Sequence, residues 1–416
     1  MTVVAGRNPG RRMRGKWSEG LSNYDTAERF AEPSGSQLAG TMSVERPPTA
    51  YQRYMADQGI PIFEGPGVYD VRDLKLGSWD RVGGNGTFIA LDNTQDLLGM
   101  HVIEIPPGGQ LNPQRHLYEE KYWVVEGEGT TEIWQQDESR RQRFEWHEGS
   151  LFAIPVNTSF RLVNARSSRA LLLAGNTAPP VLNIFNNTEF VFNNPFAFTD
   201  RYDESEDYYL PSTETYATPA LGRAMWRTNI IPDIVRCELP LDNQRSPGYR
   251  RIEPHMARGN FWCFIGEHVP GRYSKAHAHS SGAVLICVKG SGYTFNWPSQ
   301  VGITPWQSGK ADQVERVEYI AGGMVAAAPG GGNWYHQHFS SSAEPLRFLV
   351  FYGGLPDSHY AEYGGRNSSK VWTNADIEKG GKSISYRTED PFIREEYQRV
   401  LAKAGVQSQM APELYR

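Results

Sequence analysis

Four of the ten histidines in this 416-residue chain fall in two short stretches. His277 and His279 stand two apart in "AHAHSSGAVLICVKG", and His336 and His338 two apart in "WYHQH". On a β-strand, residues i and i+2 point to the same side, so each pair aims two imidazoles at one volume. Imidazole suits Fe, Zn, Cu and Ni. Three neutral imidazoles on one face of an octahedron leave up to three positions open and a divalent ion with its full charge. Such an ion favours a bidentate, anionic, oxygen-bearing substrate and leaves room for dioxygen. Candidates are a 2-hydroxybenzoate, an enolised β-dicarbonyl, or a 2-hydroxy or 2-oxo acid.

These strands need a scaffold, and the chain supplies one of all-β type. Its 42 glycines and 27 prolines separate short alternating runs such as "GMHVIEIPPGG", "KYWVVEGEGTTEIW", "GSLFAIP" and "RALLLAGN". Period-two segments between Gly/Pro turns indicate a sandwich or barrel. Helical patterns are confined to the periphery. "TAYQRYMADQG" has Thr49 and Gln52 as a capping box and Gly59 as a stop. "DPFIREEYQRVLAKAG" has Asp390 as N-cap, Pro391 in the first turn and Gly405 as the stop. Its apolar face is Phe392, Ile393, Tyr397, Val400 and Leu401, suited to docking on a barrel.

The scaffold is also repeated. Gly108, His116 and Gly127 recur 163 residues later as Gly271, His279 and Gly290; Gly149 and Pro155 recur 174 residues later as Gly323 and Pro329. One unit occurs twice, with eleven extra residues between the halves of the second copy. The expected division is a polar, arginine-rich arm at 1–45, a first barrel at 46–175, a connector at 176–225, a second barrel at 226–356 and a helix-bearing extension at 357–416. The aromatic connector "NIFNNTEFVFNNPFAFTDRYDESEDYY" is expected to pack on the barrels rather than hang free.

The repeated unit resembles the cupin family, whose jelly-roll barrel carries G-x5-H-x-H-x3-E-x6-G followed by G-x5-P-x-G-x2-H-x3-N. The chain thus looks like a bicupin, with two double-stranded β-helix barrels and a few peripheral helices. In the first copy the pattern reads Gly108-x5-Gln114-x-His116-x3-Glu120-x6-Gly127, then Gly149-x5-Pro155-x-Asn157-x2-Phe160-x3-Asn164. Two ligand positions hold Gln114 and Phe160, so this barrel is expected to be structural and metal-free, with His116 paired to Glu120. In the second copy it reads Gly271-x5-His277-x-His279-x3-Ala283-x6-Gly290. Trp334 stands where the last histidine is expected, and a two-residue expansion of the glycine turn moves that role to His336. His338, on the same strand face, is the competitor.

Ala283 in place of the glutamate, with the "WYHQH" string, is similar to gentisate 1,2-dioxygenase and its salicylate relatives. These hold Fe(II) on three histidines with no carboxylate ligand. The resemblance implies a mononuclear non-haem Fe(II) dioxygenase, with Mn, Ni or Zn as alternatives, that cleaves a C–C bond of an aromatic hydroxy acid using O2. In that family the metal-bearing barrel is generally the N-terminal one, whereas here it is the C-terminal one. The expected ligands are His277, His279 and His336, with His338 as acid/base. Ala283, Cys287, Tyr293 and Trp334 are expected around the substrate, although Cys287 and the Tyr293, Phe295, Trp297 stripe also suit core packing. Arg251, His255, Arg272, Lys275, Glu267 and His268 lie near the motif with no sign of which points inward. The alternatives are a redox-neutral metal-dependent cupin (decarboxylase, isomerase or lyase) or a non-catalytic bicupin.

A net charge of −5 argues against nucleic acid as a partner, and no apolar run reaches the eighteen residues a membrane span needs. Three unclustered cysteines suit a reducing cytoplasm. The expected partners are a small substrate and O2, in a homo-oligomer of two or four chains, an expectation taken from the family.

Overall fold

The run "AVLICVK" forms the strand Ala283–Lys289, whose first six residues are all buried. Ala283, Leu285 and Cys287 enter one apolar cluster, and Val284, Ile286 and Val288 enter another. A strand between two hydrophobic layers is apolar at every position. Ala170–Asn176 repeats the arrangement, with Leu171 and Leu173 in the shared cluster and Leu172 and Ala174 inside the first barrel.

The computed structural model describes residues 47–416 except 93, 95, 96, 218–222, 244, 279–282, 328–333 and 353–374. The arginine-rich arm, His279 and Pro329 lie outside the described residues. The first large sheet runs, in spatial order, Ile62–Gly65, Gly84–Leu91, Gly99–Ile105, Ala170–Asn176, Glu120–Glu126, Leu151–Ile154 and Ile230–Ile231. A three-stranded sheet of Ser159–Val163, Glu128–Trp134 and Gln142–His147 completes that barrel. The second large sheet runs Thr215–Ala217, Ala224–Arg227, Arg250–His255, Cys263–His268, Leu346–Tyr352, Ala283–Lys289, Met324–Ala327 and Gly67–Val68. Its three-stranded partner is Glu315–Ile320, Ser291–Pro298 and Trp334–Ser340. The fold is all-β with two barrels, as the repeat leads one to expect.

Each large sheet borrows its last strand from the other half of the repeat. Gly67–Val68 pairs with Met324–Ala327, and Ile230–Ile231 with Leu151–Ile154. This exchange covers two edges that would otherwise expose unpaired backbone. Between the barrels lies the shared cluster, including Val102, Leu173, Ile265, Ile286 and Phe351. The approach is close at Gly175, where a Cβ would run into the Phe351 ring.

The peripheral helices end where their caps predict. Thr49 and Gln52 form the reciprocal capping box of Ala50–Asp57. Asp390 accepts from the Phe392 N–H at the start of Pro391–Ala404, and Gly405 closes it in the left-handed region. That helix buries Ile393, Tyr397 and Leu401 with Tyr293, Phe295 and Trp297 of the smaller second-barrel sheet. Val191, Tyr202 and Tyr208 of the aromatic connector are buried in the first barrel's cluster. Among the described residues no helix is long and apolar enough to cross a membrane.

Candidate metal centre

His277 and His336 come from segments joined at one antiparallel bridge. The N–H of each donates to the carbonyl of the other at 3.0 Å, which sets their ring centroids 4.1 Å apart. Two residues on, His338 shares the same strand face; its centroid is 5.3 Å from His336 and 6.5 Å from His277. All three are buried, and all three line one cavity together with Ser274, Ala283 and Leu285. His279 lies outside the described residues, and among the described residues no three His, Cys, Asp or Glu side chains are grouped to hold an ion.

Hydrogen bonds set the tautomers of two of these rings. The Nδ1 of His277 is 3.0 Å from the Lys275 carbonyl, which can only accept, so Nδ1 carries the proton. His338 is set through a relay. Tyr319 donates its hydroxyl to the Tyr293 carbonyl at 3.1 Å, so Thr294 must donate to Tyr319, at 3.1 Å. That leaves the Thr294 oxygen to accept from Nδ1 of His338 at 2.8 Å. In neutral His277 and His338 the lone pair therefore sits on Nε2. An Nδ1–H held by an oxygen acceptor is the usual support for an Nε2 metal ligand, so His277 fits a divalent ion, and the Nε2 lone pair of His338 can serve as a proton acceptor.

The first barrel shows which histidine occupies the second-motif position. There the equivalent bridge joins Gln114 to Phe160. Moving from that bridge to the second shifts 114 to 277 and 160 to 336, displacements of 163 and 176. His336 therefore corresponds to Phe160, and His338 to Leu162, one pair further along.

The first barrel's own cluster is occupied internally. His116 donates from Nδ1 to the Tyr118 carbonyl at 2.9 Å and meets Glu120 through Nε2 at 3.2 Å. Tyr122 and Asn176 donate to the same carboxylate at 2.6 and 3.0 Å. Burial alone raises the Glu120 carboxyl; the hydrogen bond and charge of His116, then His101 and Tyr122, outweigh it and hold the group at about 2. Gln114 turns its amide to backbone carbonyls of Arg81, Asn112 and Pro113, and Phe160 is buried in the apolar core.

Other expected site residues separate. Ala283 lines the cavity, at the position that Glu120 holds in the first barrel. Cys287 faces the same interior but is not part of the cavity wall; its thiol donates to the carbonyls of Lys289 and Gly290. Burial pushes that thiol up to about 12, so it is not a reactive thiolate. Trp334 is half-buried at the start of its strand, opposite Pro298, and is not on the cavity wall.

The expectation that Tyr293 lines the pocket is corrected. Thr294 faces His338, so strand alternation turns Tyr293 to the opposite side. There it stacks on Phe339 at 4.4 Å with Arg316 over its ring.

Of the cations near the motif, Arg251 pairs with Glu253 at 2.9 Å and Lys275 with Asp376 at 2.5 Å. Glu267 is bound by Arg347 at 2.6 Å. The cavity wall instead includes His268, Arg245 and Tyr249. His268 was one of two adjacent candidates in the sequence. Arg245 lies in the loop before Arg250–His255, where no periodicity signals its direction.

No protein-family model matches the chain, and no curated protein is significantly similar to it. Solved structures similar to it include oxalate decarboxylase from Bacillus subtilis at pH 4.6, with 13% identity and a TM-score of 0.43 over 70% of this chain and 76% of that one. A Lactobacillus farciminis oxalate decarboxylase in complex with formate has 16% identity and a TM-score of 0.43 over 69% and 86%. A Bacillus subtilis oxalate decarboxylase studied for its Mn(II) centres has 12% identity and a TM-score of 0.43 over 70% and 77%. These neighbours are not of the gentisate dioxygenase group that the motifs resemble, and at such identities the likeness concerns the fold alone.

Proposed function

We propose that the second barrel is a mononuclear metal centre and that the protein is a metal-dependent enzyme acting on a small carboxylate-bearing substrate. The observation that carries this reading is the buried His277–His336 bridge, with the Nε2 lone pair set on His277, and with His338 beside it. His277, His279 and His336 would hold the ion. When bound, the ion supplies Lewis acidity and, if it is iron, a route for electrons to O2. The chain's own residues bind, orient and move a proton. His338, with its Nδ1–H fixed on Thr294, offers Nε2 as proton acceptor for a substrate hydroxyl. Phe264, Leu285, Phe348, Val350 and Tyr352 wall the cavity. They exclude water and suit an apolar body such as an aromatic ring.

That wall favours O2-dependent cleavage of an aromatic hydroxy acid as the leading reaction, with Fe(II) as its metal. A second reading is redox-neutral decarboxylation or lyase chemistry with Mn, Zn or Ni. His338 favours it, because a positioned proton donor and acceptor next to a Lewis acid suffices for such a step.

Metal analysis of anaerobically purified protein, followed by O2 uptake and CO2 release with 2-hydroxybenzoates and β-dicarbonyls, tests these readings. Stoichiometric iron with substrate-dependent O2 consumption supports the first, and turnover under argon supports the second. Metal content equal in the wild type and His277→Ala rejects the metal centre itself.

A further inference from the structure

Three polar side chains of the second cavity have no place in the histidine cluster: Arg245, Tyr249 and His268. His268 is 3% exposed, and its Nδ1 is buried without a hydrogen-bond partner among the described residues. Leaving an imidazole nitrogen buried and unsatisfied is unfavourable, and such a group calls for an explanation. Burial, then the charge of Arg245, pushes the imidazole down to about 3, so it stays neutral.

The first barrel shows that the fold does not require a histidine here. Ile105 pairs with Ala170 there as His268 pairs with Leu346 here, and Ile105 is fully buried. Arg245 is half-buried and forms no ion pair among the described residues. Arg251 and Arg347, by contrast, are both bound to glutamates. Phe348 lies near both groups of histidines, with its ring centroid 6.4 Å from His268 and 5.6 Å from His338.

We propose that Arg245 and His268 form a carboxylate-recognition subsite, holding the acid group of the substrate while its apolar body lies along Phe348 toward His338. The inference rests on the reading of this cavity as the substrate site. Arg245 supplies a charge-assisted hydrogen bond to the carboxylate, and His268 donates a second from Nδ1. The subsite selects acids over neutral molecules of the same shape.

The test is calorimetric titration of the full chain with benzoate and, as the neutral counterpart, phenol. Wild type, Arg245→Gln and His268→Leu are compared, each stripped of metal and each reloaded with Co(II). Benzoate affinity is expected to fall roughly 10- to 100-fold in both variants while phenol binding is unchanged. His268→Leu should keep or raise the thermal midpoint, because no hydrogen bond at Nδ1 is lost; a purely structural role would lower it. Equal benzoate affinity in wild type and both variants, or no benzoate binding to the wild type, overturns the subsite. If Co(II) fails to bind, the metal reading falls, and the comparison in stripped protein still decides the subsite.

Discussion

His277 and His336 face each other across a two-hydrogen-bond bridge, and the matching bridge in the first barrel joins Gln114 to Phe160. One backbone arrangement thus presents two imidazoles in one copy, and an amide with a benzyl group in the other. The backbone pairing sets how near the two side chains can come, and the residue types set what they can hold.

That register ranks the candidate ligands. His277→Ala and His336→Ala should each weaken Co(II) binding by more than about 100-fold, whereas His338→Ala should weaken it by no more than about 10- to 100-fold, the scale of a supporting contact. Titration followed by the visible Co(II) spectrum measures this. A larger loss in His338→Ala than in His336→Ala would assign the third ligand to His338.

The relay from His338 through Thr294 to Tyr319 makes a separate prediction. Thr294→Val leaves the Tyr319 bond to the Tyr293 carbonyl intact but strips the acceptor from His338 Nδ1. The expected cost is about 1–3 kcal/mol in urea unfolding. Nitrogen NMR of the wild type at pH 8 should show the Nδ1–H tautomer of His338; finding the Nε2–H form would break the relay.

Acid should destabilise the fold in two windows. His268 has its folded value depressed from 6.5 to about 3, so it carries no pH-dependent cost above pH 6.5 and destabilises the fold progressively as the pH falls toward 3. Glu120 is depressed from 4.5 to about 2, so its contribution is present above pH 4.5 and lost as the pH falls through 2. That contribution is on the order of 3 kcal/mol. Urea unfolding between pH 8 and pH 3 should show His268→Leu flattening part of the slope between 6.5 and 4.5, and Glu120→Gln flattening the slope below 4.5. Wild-type slopes retained in both variants would reject the assignment.

Barrel-to-barrel packing is tested at Gly175. Gly175→Val forces the Phe351 ring aside, at an expected cost of about 1–3 kcal/mol from overpacking. Phe351→Leu should relieve part of that cost in the double variant, so a double-mutant cycle should show coupling. Strict additivity would mean that the two sites do not meet.

Much of this architecture depends on local features, and those were legible in the chain. Helix caps at Thr49 and Asp390, the positive-φ stop at Gly405 and the two-residue parity of the histidine pairs are all properties of short segments. The repeat announced two barrels because glycine and proline mark its turns at constant spacing. Parity, however, says only that His336 and His338 share a face; it does not say which residue sits opposite His277. Likewise it grouped Tyr293 with Phe295 and Trp297 without saying which side was the cavity, and Thr294 took that side.

The composition and spacing of the chain by themselves determined its all-β class, its duplication and the clustering of histidines in the second copy. Only the tertiary structure decided that His336 meets His277, that Arg245 and His268 reach the cavity, and that Gly67–Val68 and Ile230–Ile231 cross between the sheets. The reason is physical. Strand pairing joins residues far apart in the chain, and a register shift of one position turns every side chain to the opposite face.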